Sequence, residues 1–249
     1  MNSLYANMRN ETERLWGRRK TKGFALLAVM IPLLAAWALA ALPEDSPIQS
    51  ALAGDLPMLM LRPFTLVLLP LFLFMTAADL FAGEAAAGTL KLTLLRPITR
   101  AKVYGSKAFA LAFYAAVLLA VLWIASAAAG LFIVGGDAGA GLAESLKAYA
   151  VTLLPMIAAG LLACLVSISV GSVGGALALM LLLYVAATAL PFLYPQAAAW
   201  SLFSYSDWHV LWAGGGAPAG SLLRSTGVLI AYCIMAYTAG VVQLERKKC

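Results

Sequence analysis

Residues 79–107 read DLFAGEAAAGTLKLTLLRPITRAKVYGSK, a polar and basic island between two long apolar runs. The surrounding chain is 63% hydrophobic and only 11% charged, so a stretch this polar stands apart. Ala82, Ala85, Ala86 and Ala87 with Leu90 and Leu94 give Leu80–Leu95 a helical reading, which Pro97 ends. Gly88 costs such a helix about 1 kcal/mol relative to alanine, which favours a kink or a close contact at that point. Arg100, Lys102 and Lys107 then crowd against the apolar run that starts at Ala108, the pattern of a cytoplasmic membrane border.

Outward from this island the hydropathy decides the class. A mean hydropathy of +0.91 over 249 residues is too apolar for a soluble domain, and several runs exceed the ~18 residues that mark a membrane span. The expected fold is an all-α integral membrane protein with spans at about 23–42, 56–81, 108–134, 149–170, 176–194 and 222–244. The first, Gly23–Leu42, has 20 residues and reaches about 30 Å at 1.5 Å per residue, one hydrocarbon thickness.

Basic residues set the topology. Fourteen of the 17 Lys and Arg fall in residues 1–22, 82–107 and the tail after Leu244, the exceptions being Arg62, Lys147 and Arg224. Six spans with both termini in the cytoplasm satisfy this bias. The formal charge of +6 does not indicate nucleic acid, because the basic clusters abut apolar runs and carry no interleaved aromatics. Residues 1–22, with Leu4, Met8, Leu15 and Trp16 roughly on one side, are expected to form an amphipathic helix along the cytoplasmic surface, basic residues toward anionic lipid. The rival is a signal peptide with Ala38-Leu39-Ala40 as its cleavage site. The apolar run from Gly23 to Leu42 is longer than the usual h-region and favours a retained first span.

Smaller features complete the reading. Arg62 near the outer start of the second span is expected to snorkel, with a substrate or partner contact as the alternative. Asp79 is an interfacial residue at the inner end. A Gly-rich loop carrying Glu144 and Lys147 joins the third and fourth spans, and Gly171–Gly175 forms a tight turn before the fifth. Ala159, Ala163, Ser167 and Gly171 recur every fourth residue and make a face on which another helix can pack closely. Trp200, Phe203, Tyr205, Trp208 and Trp212 suit a membrane interface, with a short interfacial or re-entrant helix over Ala197–Trp212. The one histidine, His209, reads as a solvated or hydrogen-bonded loop residue. Cys164, Cys233 and Cys249 match no disulfide framework or metal-ligand spacing.

Several chemistries lack their residues. Gly83 and Gly88 have P-loop spacing, but Thr89-Leu90 comes next where Lys-Ser/Thr is required, so no phosphate cradle exists in the chain. One histidine allows no plausible Ser-His-Asp set, and neither paired buried carboxylates nor ionisable residues in span centres are expected. The chain reads as no enzyme.

Glu84, Gly88-Thr89-Leu90, Leu94, Pro97-Ile98-Thr99-Arg100 and Lys107 succeed one another as in the permease subunits of type-2 ABC transporters, which this segment resembles. The motif occupies one segment of the chain, and the six-span layout extends the resemblance over its length. It implies that residues 82–107 form a coupling region containing Glu84, Gly88, Thr89, Leu90, Lys91, Leu94, Pro97, Arg100 and Lys107, resting on a separate ATPase subunit. It further implies an elbow helix at residues 1–22 and a six-span permease domain over 23–249. The implied partners are two copies of an ATP-binding ABC ATPase, which carry the ATP and Mg, and a second permease chain, identical or related. The implied activity is export of a drug, peptide, lipid or other amphipathic cargo across a bacterial cell membrane. A basic loop satisfies the positive-inside rule in any polytopic protein. It is the ordered Glu, Gly-Thr, Pro-x-x-Arg and Lys that favour coupling over a non-transporting scaffold or an unrecognised membrane enzyme.

Overall fold

A computed structural model describes residues 3–43, 55–89, 99–134, 141–193, 209, 212 and 218–246. These residues are helical throughout apart from short turns, and no strand occurs among them. Helix α1 spans Ser3–Trp16 and, after a joint at Gly17-Arg18, α2 spans Arg19–Ala40. Helix α3 runs Leu56–Ala86, α4 Arg100–Ala129, α5 Leu142–Ser169, α6 Val173–Leu193 and α7 Ala219–Arg246. Helices α2 to α7 are each long and apolar enough to cross a membrane.

The helices begin earlier than the apolar runs because backbone hydrogen bonding continues through polar residues. Helix α2 takes in Lys20 and Lys22, α4 takes in Arg100, Lys102 and Lys107, and α5 takes in Glu144 and Lys147. The loop expected to carry Glu144 and Lys147 is therefore helix from Leu142 onward. The turn expected over Gly171–Gly175 shortens to Gly171-Ser172, because Ser172 Oγ accepts the Gly175 N–H at 3.2 Å and starts α6 at Val173. At the start of α3, Asp55 accepts the Met58 N–H at 3.3 Å while Pro57 occupies the first turn.

Burial orders the bundle. The apolar window of α3 is 67% buried and that of α5 61%, against 22% for α2 and α7 and 11% for α6. Helices α3 and α5 are thus the centre, α4 lies against both, and α6 is peripheral, packed on α3 and α5. Helix α2 lies along α4, where Tyr114 Oη donates to the Thr21 carbonyl at 2.6 Å, and Phe72 of α3 meets Phe24 edge-on and Tyr114 at a tilt. Outward faces of α2, α6 and α7 expose Trp37, Leu182 and Leu223, as suits a hydrocarbon surround in place of water.

The four small residues spaced by four from Ala159 of α5 fall in different surroundings. Ala159, Ala163 and Ser167 are buried, whereas Gly171 lies past the last helical residue and is exposed. Gly160 supplies a close approach that the four-residue register misses, since a Cβ there would meet Leu111 Cδ2 of α4 at 3.1 Å. Between α4 and α7 the contact is tighter still: the Tyr104 hydroxyl lies directly on Gly240, where no side chain fits.

Candidate functional site at the basic end of the bundle

The residues singled out by the sequence gather where α1 meets α3 and α4. Along α1, Leu4, Asn7, Glu11 and Leu15 recur at intervals of three and four and share one face. Asn7 is 5%, Glu11 2% and Leu15 1% exposed, so this face is docked on the bundle and places a carboxylate inside it. The expected apolar side of Leu4, Met8, Leu15 and Trp16 is corrected accordingly: Trp16 is 51% exposed at the edge, its ring meeting Tyr114 edge-on at 5.7 Å.

Helix α3 delivers the second carboxylate. Its last turns contain a π-helical turn over Asp79–Gly83. One extra residue rotates the next turn by about 100° around the axis. Glu84, directly after it, is 4% exposed. Helix α4 delivers the cation: Lys107, placed by hydropathy at a membrane border, is fully buried two turns inside the helix, beside the equally buried Ser106.

Lys107 Nζ lies 2.8 Å from Glu84 Oε1 and 3.4 Å from Glu11, with the Phe81 ring centroid at 5.9 Å. Arg14, half exposed, adds a contact of 3.2 Å to Glu84 Oε1. Asn7 Nδ2 donates to Ser106 Oγ at 2.6 Å, which donates on to the Val103 carbonyl at 2.8 Å. Two carboxylates and two cations balance, and that balance is required, because an isolated charge buried here costs several kcal/mol. Glu84 Oε2 finds no hydrogen-bond partner among the described residues. Glu11 and Glu84 are two buried carboxylates that share one lysine, a grouping the sequence did not reveal.

Nearby contacts fasten the same end. Asp79 is held by Arg18 Nη1 at 3.3 Å and Lys20 Nζ at 3.1 Å, which ties the α1–α2 joint to α3. Arg100 Nη1 donates to the Leu244 and Glu245 carbonyls at 3.3 and 2.7 Å, a cation on the carbonyl end of α7. Gly88 has φ +69°, a conformation that calls for glycine, and a Cβ there would meet nothing within 4 Å among the described residues. It turns the chain out of α3 after Ala86, and Thr89 Oγ1 donates back to the Glu84 carbonyl at 3.3 Å.

Of the helix expected across Leu80–Leu95, Leu80–Ala86 is the end of α3 and a turn with left-handed Gly88 comes next, while residues 90–95 lie outside the described residues. Within the expected coupling segment, Glu84, Gly88, Thr89, Arg100 and Lys107 converge on one end of the bundle. Leu90, Lys91, Leu94 and Pro97 lie outside the described residues, as does most of the aromatic segment Ala197–Trp212. Of that segment, His209 is buried at 4% exposure and so is not solvated, and the Trp212 ring receives Lys147 Nζ at 5.8 Å. Glu11, Arg14, Asn7 and Ser106 were not singled out by sequence; the spacing of Leu4, Glu11 and Leu15 was the available signal. Among the described residues no group of three or more His, Cys, Asp or Glu could hold a metal ion.

Residues 27–247 match the model of a family described as a protein of unknown function (DUF2705), and the chain belongs to that family. No curated protein matches it.

Proposed function

We propose that this member of the DUF2705 family is the membrane-spanning permease subunit of an ATP-driven ABC exporter, powered by separate ATP-binding subunits. The observation that carries the reading is the contact between Glu84 and Lys107, 2.8 Å apart at the two ends of the resembling motif. The segment between them leaves α3 at Gly88 and re-enters the bundle at Arg100, so a force on it reaches α3 and α4 together. Glu11 and Arg14 carry the same displacement to α1, the proposed elbow helix. Arg100 carries it to the end of α7.

In this mechanism ATP binding draws two ATPase subunits together beneath two permease chains. The pushed segment shifts the inner ends of α3 and α4 between two packings, and the membrane halves switch access. Close helix approaches at Gly160 and Gly240 favour discrete packings over continuous deformation. Both termini lie in the cytoplasm, in agreement with the clustering of basic residues. The cargo class is amphipathic, the choice suited to apolar spans.

The test is purification of the tagged chain in mild detergent from its native host. A Walker-motif ATPase is expected to co-elute at one per permease copy, with hydrolysis that collapses on Glu84→Gln while the complex stays assembled. Elution of the chain alone under every nucleotide condition refutes the proposal and returns the scaffold reading.

A further inference from the structure

Between the C-terminal ends of α5 and α7 lies a shallow, open groove of about 490 Å³. Its upper wall is apolar, from Leu165, Val166 and Val242, and its lower rim is polar, from Ser169, Gln243 and Arg246. Gln243 Nε2 donates to Ser169 Oγ at 2.6 Å, which fixes the amide, and Gln243 Oε1 is left shielded with no partner among the described residues. Arg246 is exposed in the last turn of α7 and forms no ion pair among the described residues. Lys247 and Lys248 come after it in sequence. Arg100, bonded to the Glu245 carbonyl, places this end of α7 on the same face of the bundle as the basic cluster of α1 and α4.

We infer that this groove binds one anionic phospholipid of the cytoplasmic leaflet. The pairing rests on charge and depth. An acyl chain lies along Leu165, Val166 and Val242, where hydrocarbon and not water is the solvent. The phosphate meets the Arg246 guanidinium at the polar rim. Basic pockets between membrane helices at the cytoplasmic side recognise lipid headgroups by this combination of cation and apolar wall. Water alone would leave the apolar wall wetted, and a soluble anion would leave it bare. The lipid site stands whether or not the chain is a permease.

The experiment is native mass spectrometry of the full chain in detergent, titrated with dioleoyl phosphatidylglycerol or with dioleoyl phosphatidylcholine. The parent is expected to bind phosphatidylglycerol more tightly. Arg246→Ala is expected to weaken that preference about fivefold, the weight of one basic residue at an anionic surface. Val242→Trp, which fills the groove without touching charge, is expected to remove the tightest site. Arg224→Ala, near the opposite end of α7, keeps the parent preference, and a tenfold excess of inorganic phosphate does not compete. The proposal is overturned if Arg246→Ala leaves the preference unchanged. It is equally overturned if Val242→Trp does so while Arg246→Ala weakens it, since the arginine would then meet headgroups at the surface with no groove involved. Competition by inorganic phosphate overturns the acyl-chain component.

Discussion

Replacing Lys107 by methionine removes the one fully buried cation that two buried carboxylates share. The Glu84 side chain is 5% and the Glu11 side chain 2% exposed, so neither recovers its hydration when the lysine goes. At 2.8 Å and an effective dielectric of about 20, the Glu84 pair alone carries an attraction of roughly 6 kcal/mol before desolvation is counted. Removing one partner of such a pair costs about 3–5 kcal/mol, because the uncompensated charge stays buried. For a domain of this size that is a fall in melting temperature of roughly 6–20 °C. The assay is thermal unfolding in detergent monitored with a thiol-reactive fluorophore, for which buried Cys164 is a natural reporter. Replacing all three residues together, as Glu11→Met, Glu84→Met and Lys107→Met, leaves no buried charge. It should restore the melting point to the parent value or above, since apolar replacements of buried ion pairs are neutral or stabilising by about 1–4 kcal/mol. Arg14 loses its partners in that variant, at a cost of about 1 kcal/mol or less for a half-exposed side chain. A Lys107→Met melting point within about 2 °C of the parent, the shift expected from well under 1 kcal/mol, refutes the buried-charge argument. A triple variant no better than the single one refutes it equally. A triple variant that is stable yet fails to stimulate a partner ATPase separates signalling from stability at this cluster.

Three further outcomes are expected. Gly240→Ala places a methyl group on the Tyr104 ring and hydroxyl and should destabilise by about 1–3 kcal/mol, with Tyr104→Leu reversing most of the loss in thermal melts. Gly88→Ala meets no neighbour but must adopt φ +69°, so a cost of about 1–2 kcal/mol is expected from conformation alone, readable as a melting shift without loss of expression. Burial raises the Asp55 carboxyl above its usual range, opposed by the Met58 N–H and reinforced by Glu144. Its protonated form is therefore favoured in the fold, and its contribution is full below about pH 4 and lost as pH rises through the raised value. Asp55→Asn keeps the helix cap without that loss, so the parent should melt progressively lower than the variant as pH is raised from about 4, whereas equal pH profiles refute the assignment.

The membrane helices were legible because each carries a long apolar run, and no tertiary contact is needed to count them. Their ends were not, because hydropathy marks the membrane border while the helix continues through Arg100–Lys107 and Glu144–Lys147. Lys107 read as a membrane-border residue, and its full burial was not foreseen. Its burial depends on Glu11, 96 positions away, and on Glu84, 23 away, and no local pattern carries such pairings. The burial of Glu11 was half visible, since it shares a helical face with Leu4 and Leu15. Asn7 and Ser106 gave no comparable signal. Gly171 fitted the four-residue register of α5 but lies beyond the helix end, a boundary that a spacing rule does not see.

The contact between Glu11 and Lys107 also sets an order of events during synthesis. Residue 11 leaves the ribosome 96 positions ahead of its partner, an interval of roughly 5–20 s at ordinary elongation rates. Over that interval α2 and α3 follow it out while the Glu11 carboxylate on the inner face of α1 still lacks its buried lysine. Helix α1 therefore seats fully only after α4 has emerged, and nascent chains cut short before Lys107 have, as ion pairs to hold it, Arg14 on Glu84 and Arg18 and Lys20 on Asp79 alone.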